Sequence, residues 1–189
     1  GVSVSGYDKA ETTLCKELVA EGINIHYEDN IEFIDTNAKL VIYTPAVPKD
    51  HRELNYYLNN NYTVTKRSDV LGAITASGFN ICVAGTHGKT TTTSMVGAML
   101  EEGNFDPTVI NGGIINAYSS NARLGAGEWM VVEADESDGT FNRLPATIAI
   151  VTNIDLEHVD HYTGGLPEIH DAFVTFLNKL PFYGLAIVC

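Results

Sequence analysis

The chain has 189 residues, 44 % hydrophobic and 19 % charged, the composition of an ordinary globular protein with room for one large domain or two small ones. A net charge of −13 argues against nucleic acid as a partner, since that affinity comes largely from Lys and Arg on phosphates. It does not exclude an anionic nucleotide, because magnesium and local amide dipoles set the field in such a site.

Cys15, Cys82 and Cys189 are an odd set without metal-ligand spacing and read as reduced thiols. No apolar run approaches the ~20 residues that cross a bilayer, and no signal peptide is visible. A cytoplasmic protein without membrane insertion is expected.

Strands and helices alternate from the start. Residues 2–5 predict a strand ending at Gly6-Tyr7-Asp8. Thr12 to Glu21 predicts a helix, with Leu14, Leu18 and Val19 on one face and Gly22 as its stop. Strands follow at 23–26 and 40–43, the second running into Thr44-Pro45-Ala46-Val47-Pro48. A helix is expected over His51–Asn59, a strand over Tyr62–Thr65 and a short helix over Ser68–Ala76. This alternation implies a parallel sheet flanked by helices, with ligands at the carboxyl ends of its strands. Asp8 and the Thr44–Pro48 turn would then line the first domain's site. Asp8 suits a ribose contact or a plain turn, and the proline-rigidified turn suits a binding loop or a plain strand exit.

The polar break Ser77-Gly78-Phe79-Asn80 marks a boundary, giving domains 1–77 and 78–189. The second opens with the apolar run Ile81-Cys82-Val83-Ala84. It enters Gly85-Thr86-His87-Gly88-Lys89-Thr90-Thr91 and then a helix over 91–102 with Met95, Val96, Ala98, Met99 and Leu100. Strand, glycine turn and helix are the context of a phosphate loop. Gly85 and Gly88 would let backbone N–H groups turn inward, where a β-carbon would obstruct a phosphate. The helix start would aim its unpaired N–H groups and dipole at the same point. Lys89 would neutralise the outer phosphates of a nucleoside triphosphate, and the Thr90 hydroxyl would reach magnesium. The spacing departs from the usual loop: its first glycine would fall at 83, which is Val83.

Further along, Thr108–Ile110 predicts a strand leading into Asn111-Gly112-Gly113. Ser119 to Gly127 reads as a loop carrying Asn121, Arg123, Gly125 and Gly127. The strand from Trp129 delivers Glu133-Ala134-Asp135-Glu136-Ser137-Asp138, and the strand Ile148–Val151 ends in Thr152-Asn153-Ile154-Asp155-Leu156-Glu157-His158. A helix is expected over Ile169–Leu180, and Leu185–Cys189 reads as a buried strand. A parallel strand normally continues into a crossover. The chain also opens in a strand without a methionine, so a fragment of a larger protein is expected.

Three strand exits of one parallel sheet lie at one edge, so the loop at 85–91, the carboxylates at 133–138 and the cluster at 153–158 are expected to converge. Glu133 would hold magnesium, against the plainer reading of a charged turn. His158 would be a ligand, against a surface histidine, although imidazole is a less usual partner for magnesium than oxygen. These parts make a site for phosphoryl transfer. No Ser-His-Asp arrangement or cysteine nucleophile competes with it.

The loop Gly85–Thr93 resembles the ATP loop of the Mur ligases. Glu133–Asp138, Thr152-Asn153-Ile154 with His158, Asn111-Gly112-Gly113 and Asn121-Ala122-Arg123-Leu124-Gly125 resemble the alanine-adding branch of that family. Ser5-Gly6-Tyr7-Asp8, Thr44–Pro48 and Lys66-Arg67-Ser68-Asp69 are similar to its uridine-nucleotide domain.

The resemblance implies an α/β chain: a Rossmann-like N-terminal domain lacking its first strand, then a truncated P-loop-type parallel-sheet ATP-binding domain. It also implies a reaction in which ATP phosphorylates the lactyl carboxylate of UDP-N-acetylmuramic acid and the amine of L-alanine attacks the acyl phosphate. Lys89, Glu133 and His158 would be catalytic. Gly85, Thr86, His87, Gly88, Lys89, Thr90, Thr91 and Asn153 would bind ATP, and Thr90, Glu133 and His158 would bind Mg2+. Asp8, Thr44, Arg67, Asn121, Asp135 and Ser137 would meet substrate. The family's third domain is expected to lie outside this piece, so the piece alone is expected to make little product. The alternatives are a murein peptide ligase, a folylpolyglutamate-type ligase that leaves the first-domain motifs unexplained, and a nucleotide-binding module without ligation chemistry.

Overall fold

The computed structural model describes residues 2–115, 120–137, 139–157 and 161–189. Its packing divides into two compact units, Gly1–Val70 and Leu71–Cys189.

In the first unit β1 (Ser5–Tyr7), α1 (Thr13–Ala20) and β2 (Asn24–His26) are followed by β3 (Val41–Tyr43), α2 (Arg52–Asn59) and β4 (Val64–Lys66). β1 pairs with β2 in parallel, and β3 pairs with β4 in parallel with Tyr43 opposite Lys66. β1 starts later than the apolar alternation suggests, because Val2 and Val4 are exposed and pair with nothing described. Thr12 starts α1 by accepting the Cys15 N–H at 3.2 Å. α2 is capped twice over: the Asp29 carboxylate accepts the Arg52 and Glu53 N–H groups at 2.9 and 3.1 Å, and His51 Nδ1 accepts that of Leu54 at 3.2 Å. The buried Glu53 in turn holds His26 Nε2 at 2.9 Å and the Asn30 N–H at 3.0 Å, satisfying a carboxylate that burial would otherwise penalise.

α3 (Arg67–Thr75) crosses the division. The second unit then runs β5 (Phe79–Ala84), α4 (Lys89–Glu102), β6 (Thr108–Ile115), β7 (Ser120–Arg123), β8 (Trp129–Glu133), β9 (Ile148–Val151), α5 (Leu166–Leu177) and β10 (Leu185–Val188). The break expected at Ser77–Asn80 is a stitched turn inside this unit. Asn80 Nδ2 donates to the carbonyls of Thr75, Gly78 and Pro145 at 2.5, 3.2 and 2.9 Å, so the packing division falls upstream, within α3.

The six strands lie in the order β10-β9-β5-β8-β6-β7, parallel except for β7, which runs antiparallel to β6. β5 is central and buried from Asn80 to Ala84, as a strand covered on both faces must be. On one face Cys82 and Ala84 join Phe141, Phe173 and Phe176; on the other Ile81 meets Val109 and Val131. The segment read as a loop over 119–127 therefore contains a strand. β6 continues through Asn111-Gly112-Gly113 instead of ending before it. α5 starts and ends three residues earlier than its apolar spacing suggests, with Pro167 in its first turn, where a missing N–H costs nothing.

Candidate nucleotide site at the exit of the central strand

β9, β5 and β8 are adjacent and parallel, with Ala84 beside Val151 and Val83 beside Glu133. Their exits share one edge, and the loop after β5 is fastened to that of β9. The Thr86 N–H donates to the Asn153 carbonyl at 3.0 Å, and the Asp155 N–H to Thr86 Oγ1 at 2.8 Å. Asn153 clasps His87 through both halves of its amide: Oδ1 accepts the His87 N–H at 2.9 Å and Nδ2 donates to the His87 carbonyl at 3.0 Å. Thr152 Oγ1 donates to that same carbonyl at 2.6 Å. Asn153 thus acts as a brace of the loop. The exposed His87 ring stands 3.6 Å from both Asp155 and Glu157.

The two loop glycines serve different ends. Gly85 has φ +131°, and a β-carbon there would collide with Thr152 Oγ1 and lie 2.9 Å from the Asn153 carbonyl oxygen. Close approach to the β9 exit requires this glycine. Gly88 has φ +77° and open space around it, so backbone conformation alone favours glycine there.

α4 starts at Lys89, so Lys89, Thr90 and Thr91 form its first turn and their N–H groups face the end where the dipole is positive. The Lys89 ammonium donates to the Gly85 carbonyl at 2.7 Å, the Thr86 carbonyl at 3.3 Å and Glu136 Oε1 at 3.0 Å. The Thr90 hydroxyl donates to Glu133 Oε2 at 3.0 Å, and the Gly112 N–H donates to the same oxygen at 2.9 Å. Asn111 Nδ2 reaches the Thr90 carbonyl at 3.3 Å and Ser94 Oγ at 3.2 Å, tying β6 to the start of α4. Both of these bonds of Glu133 fall on Oε2, and the Thr90 oxygen keeps its lone pairs. A hydroxyl and a carboxylate side by side are hard oxygen donors, the few that Mg2+ takes when phosphates and water supply the rest. The residues present fit that ion. Among the described residues no group of three His, Cys, Asp or Glu side chains gathers to hold a metal.

Other expected site residues are distributed as follows. Asp135 is exposed and accepts the Ser137 N–H at 3.0 Å in a local turn. Asn121 is half-buried on β7. In the first unit Asp8 follows β1 and folds back on the Ala10 N–H at 3.1 Å. Thr44 and Arg67 follow the register partners Tyr43 and Lys66, so they leave the same end of β3 and β4. His158 lies outside the described residues, as does Asp138. Two features escaped the sequence reading. Glu136 is one of four acidic residues in a short run, and nothing in the run says that it, not Asp135, turns inward. Asn111-Gly112 was visible as a motif, yet its bracing of Thr90 and Glu133 needs the β6–β8 register. Arg123 reaches Asp106 at 2.7 Å and Glu101 at 3.4 Å, beside the start of β6 and the end of α4.

A parallel sheet whose central strand feeds a glycine loop, a lysine and a helix start, with a Thr–Glu oxygen pair beside them, defines a phosphate-loop nucleotide-binding domain. Residues 83–189 match the family described as the Mur ligase middle domain, and residues 1–78 match the Mur ligase family catalytic domain. The chain belongs to the Mur ligase family. It is 50 % identical over 192 residues to UDP-N-acetylmuramate--L-alanine ligase of Methylorubrum extorquens (strain PA1), covering 100 % of this chain and 40 % of that protein. The chain thus spans about two-fifths of the length of the curated relatives it matches. The structure is similar to the crystal structure of UDP-N-acetylmuramate-alanine ligase from Thermotoga maritima, with TM-score 0.90 and 29 % identity over 98 % of this chain and 43 % of that one. It is also similar to the UDP-N-acetylmuramate:L-alanyl-gamma-D-glutamyl-meso-diaminopimelate ligase from Neisseria meningitides, with TM-score 0.89 and 25 % identity over 98 % and 63 %.

Proposed function

We propose that this chain carries the sugar-nucleotide-binding and ATP-binding parts of a ligase that joins L-alanine to the lactyl carboxylate of UDP-N-acetylmuramic acid through an acyl phosphate. The observation that carries the reading is the meeting of Lys89, Thr90 and Glu133 at one sheet edge. Residues 1–77 would hold the uridine nucleotide, with Asp8, Thr44 and Arg67 as contacts, and residues 78–189 the ATP.

In this scheme Lys89 draws the β- and γ-phosphates. The N–H groups of Lys89 to Thr91 at the start of α4 orient them for in-line transfer to the carboxylate. Thr90 and Glu133 would hold Mg2+, which when bound spreads the charge of the transferring phosphoryl group. Asn153 keeps the loop in shape through His87. We assign His158 to a further metal position, and Asn121, Asp135 and Ser137 to the muramoyl side. A cytoplasmic setting follows from the use of ATP and a sugar nucleotide.

The similarity to the Neisseria structure favours a second reading, in which a peptide replaces alanine. The test uses a polypeptide that completes the length of the relatives around these residues. Phosphate release from ATP should require both UDP-N-acetylmuramic acid and L-alanine, and Lys89→Met should abolish it. Release that a tripeptide supports and alanine does not would move the assignment to the second reading. Release independent of any muramoyl acceptor would overturn both.

A further inference from the structure

The Lys89 ammonium has three N–H donors and three acceptors in this fold, of which Glu136 is the only carboxylate among the described residues. Glu136 is 2 % exposed. Its backbone is pinned: the Glu136 carbonyl accepts the Tyr162 hydroxyl at 2.6 Å and the Gly139 N–H at 3.0 Å, and Tyr162 is itself buried. The carboxylate is held out of solvent beside the ammonium. A phosphate that reaches Lys89 therefore shares the ammonium with a fixed negative charge. Glu133 sets a second one beside Thr90, and Asp155 and Glu157 flank His87 at the loop tip. One lysine set against these carboxylates is a poor host for a bare polyphosphate.

We propose that Glu136 is a positioning residue that holds Lys89 against the loop carbonyls and makes the site select metal-bound over metal-free nucleotide. The inference rests on the nucleotide-site reading above. A phosphate at the ammonium lies only a few ångströms from the Glu136 carboxylate, a separation at which two partly buried charges interact strongly. Cation binding at the Thr90–Glu133 pair offsets that repulsion, and the discrimination resides in the difference.

The test is titration calorimetry of a polypeptide that completes the length of the relatives around these residues, with ADP, with excess Mg2+ and with chelator, in wild type, Glu136→Gln and Glu136→Asp. Glu136→Gln should tighten metal-free ADP by ~10- to 100-fold and Mg-ADP by much less, so the ratio of the two dissociation constants contracts. Glu136→Asp keeps the charge and should keep the wild-type ratio. A ratio in Glu136→Gln unchanged within about twofold, or both constants weakened by one common factor, would mean a merely structural role and overturn the proposal. Wild type that binds no Mg-ADP would overturn the nucleotide site itself and this inference with it. Should circular dichroism show Glu136→Gln unfolded, Glu136→Met, of similar volume and without charge, is read for the same ratio.

Discussion

Replacing Gly85 by alanine tests whether the loop is shaped by its neighbour strand or by its ligand. At φ +131° a β-carbon would collide with Thr152 Oγ1 and press on the Asn153 carbonyl and the Thr152 nitrogen at 2.9 and 3.0 Å. The backbone strain costs about 1–3 kcal/mol and the overpacking against β9 about the same again. The sum, about 4 kcal/mol, is a large share of the roughly 5–15 kcal/mol by which a domain is stable. For a chain of this size that lowers the melting temperature by roughly 8–16 °C. Gly88→Ala is the control: nothing lies within 4 Å of its added carbon, so only the left-handed backbone at φ +77° is penalised, by about 1–2 kcal/mol. Thermal melts followed by circular dichroism, without nucleotide, rank the two. If Gly88→Ala melts lower than Gly85→Ala, or Gly85→Ala melts within about 2 °C of wild type (under ~1 kcal/mol), the account of the loop is wrong.

Two further outcomes follow from titratable groups. Burial on β5 pushes the Cys82 thiol up to about 12, so at pH 8 Ellman's reagent should modify the exposed Cys189 quickly and reach buried Cys15 and Cys82 only on unfolding. Peptide mapping that finds Cys82 modified as fast as Cys189 would contradict this. Burial alone would raise the Asp29 carboxyl, yet the Arg52 and Glu53 N–H groups, with His51 and Arg52 nearby, hold it below the usual carboxylate range. Its stabilising effect is present above the unfolded value near ~4 and is lost as pH falls through the lower folded value. Asp29→Ala should cost about 1 kcal/mol at pH 7 through the lost cap, and urea titrations should find that difference shrinking toward pH 3; an equal difference at both pH values refutes it.

The strand–loop–helix at 79–102 was legible because a buried central strand must be apolar on both faces, and Ile81-Cys82-Val83-Ala84 is. The convergence of three strand exits followed from the same apolar runs. β7 was not legible: Ser120-Asn121-Ala122-Arg123 is a polar edge strand whose pairing with β6 is held by backbone bonds and by the Arg123–Asp106 contact, neither of which leaves an apolar alternation. The roles within Glu133–Asp138 were half legible. A run of carboxylates announces a site, but which ones turn inward depends on the Tyr162 hydroxyl and the Gly112 N–H, both distant in sequence. The packing of Gly85 against Thr152 was not legible either, because the two residues are far apart in sequence.

The central strand β5 pairs on one side with residues 129–133 and on the other with 148–151. Its register therefore depends on chain that is synthesised long after it. Closing such long loops is slow compared with local helix formation, so the lysine and threonine of α4 can be helical well before their carboxylate partners arrive. A nucleotide held as proposed above would bind only the finished arrangement, and mass action would then add to its stability in proportion to the logarithm of ligand concentration. For a newly made chain, the supply of such a nucleotide would then also favour the correct strand order.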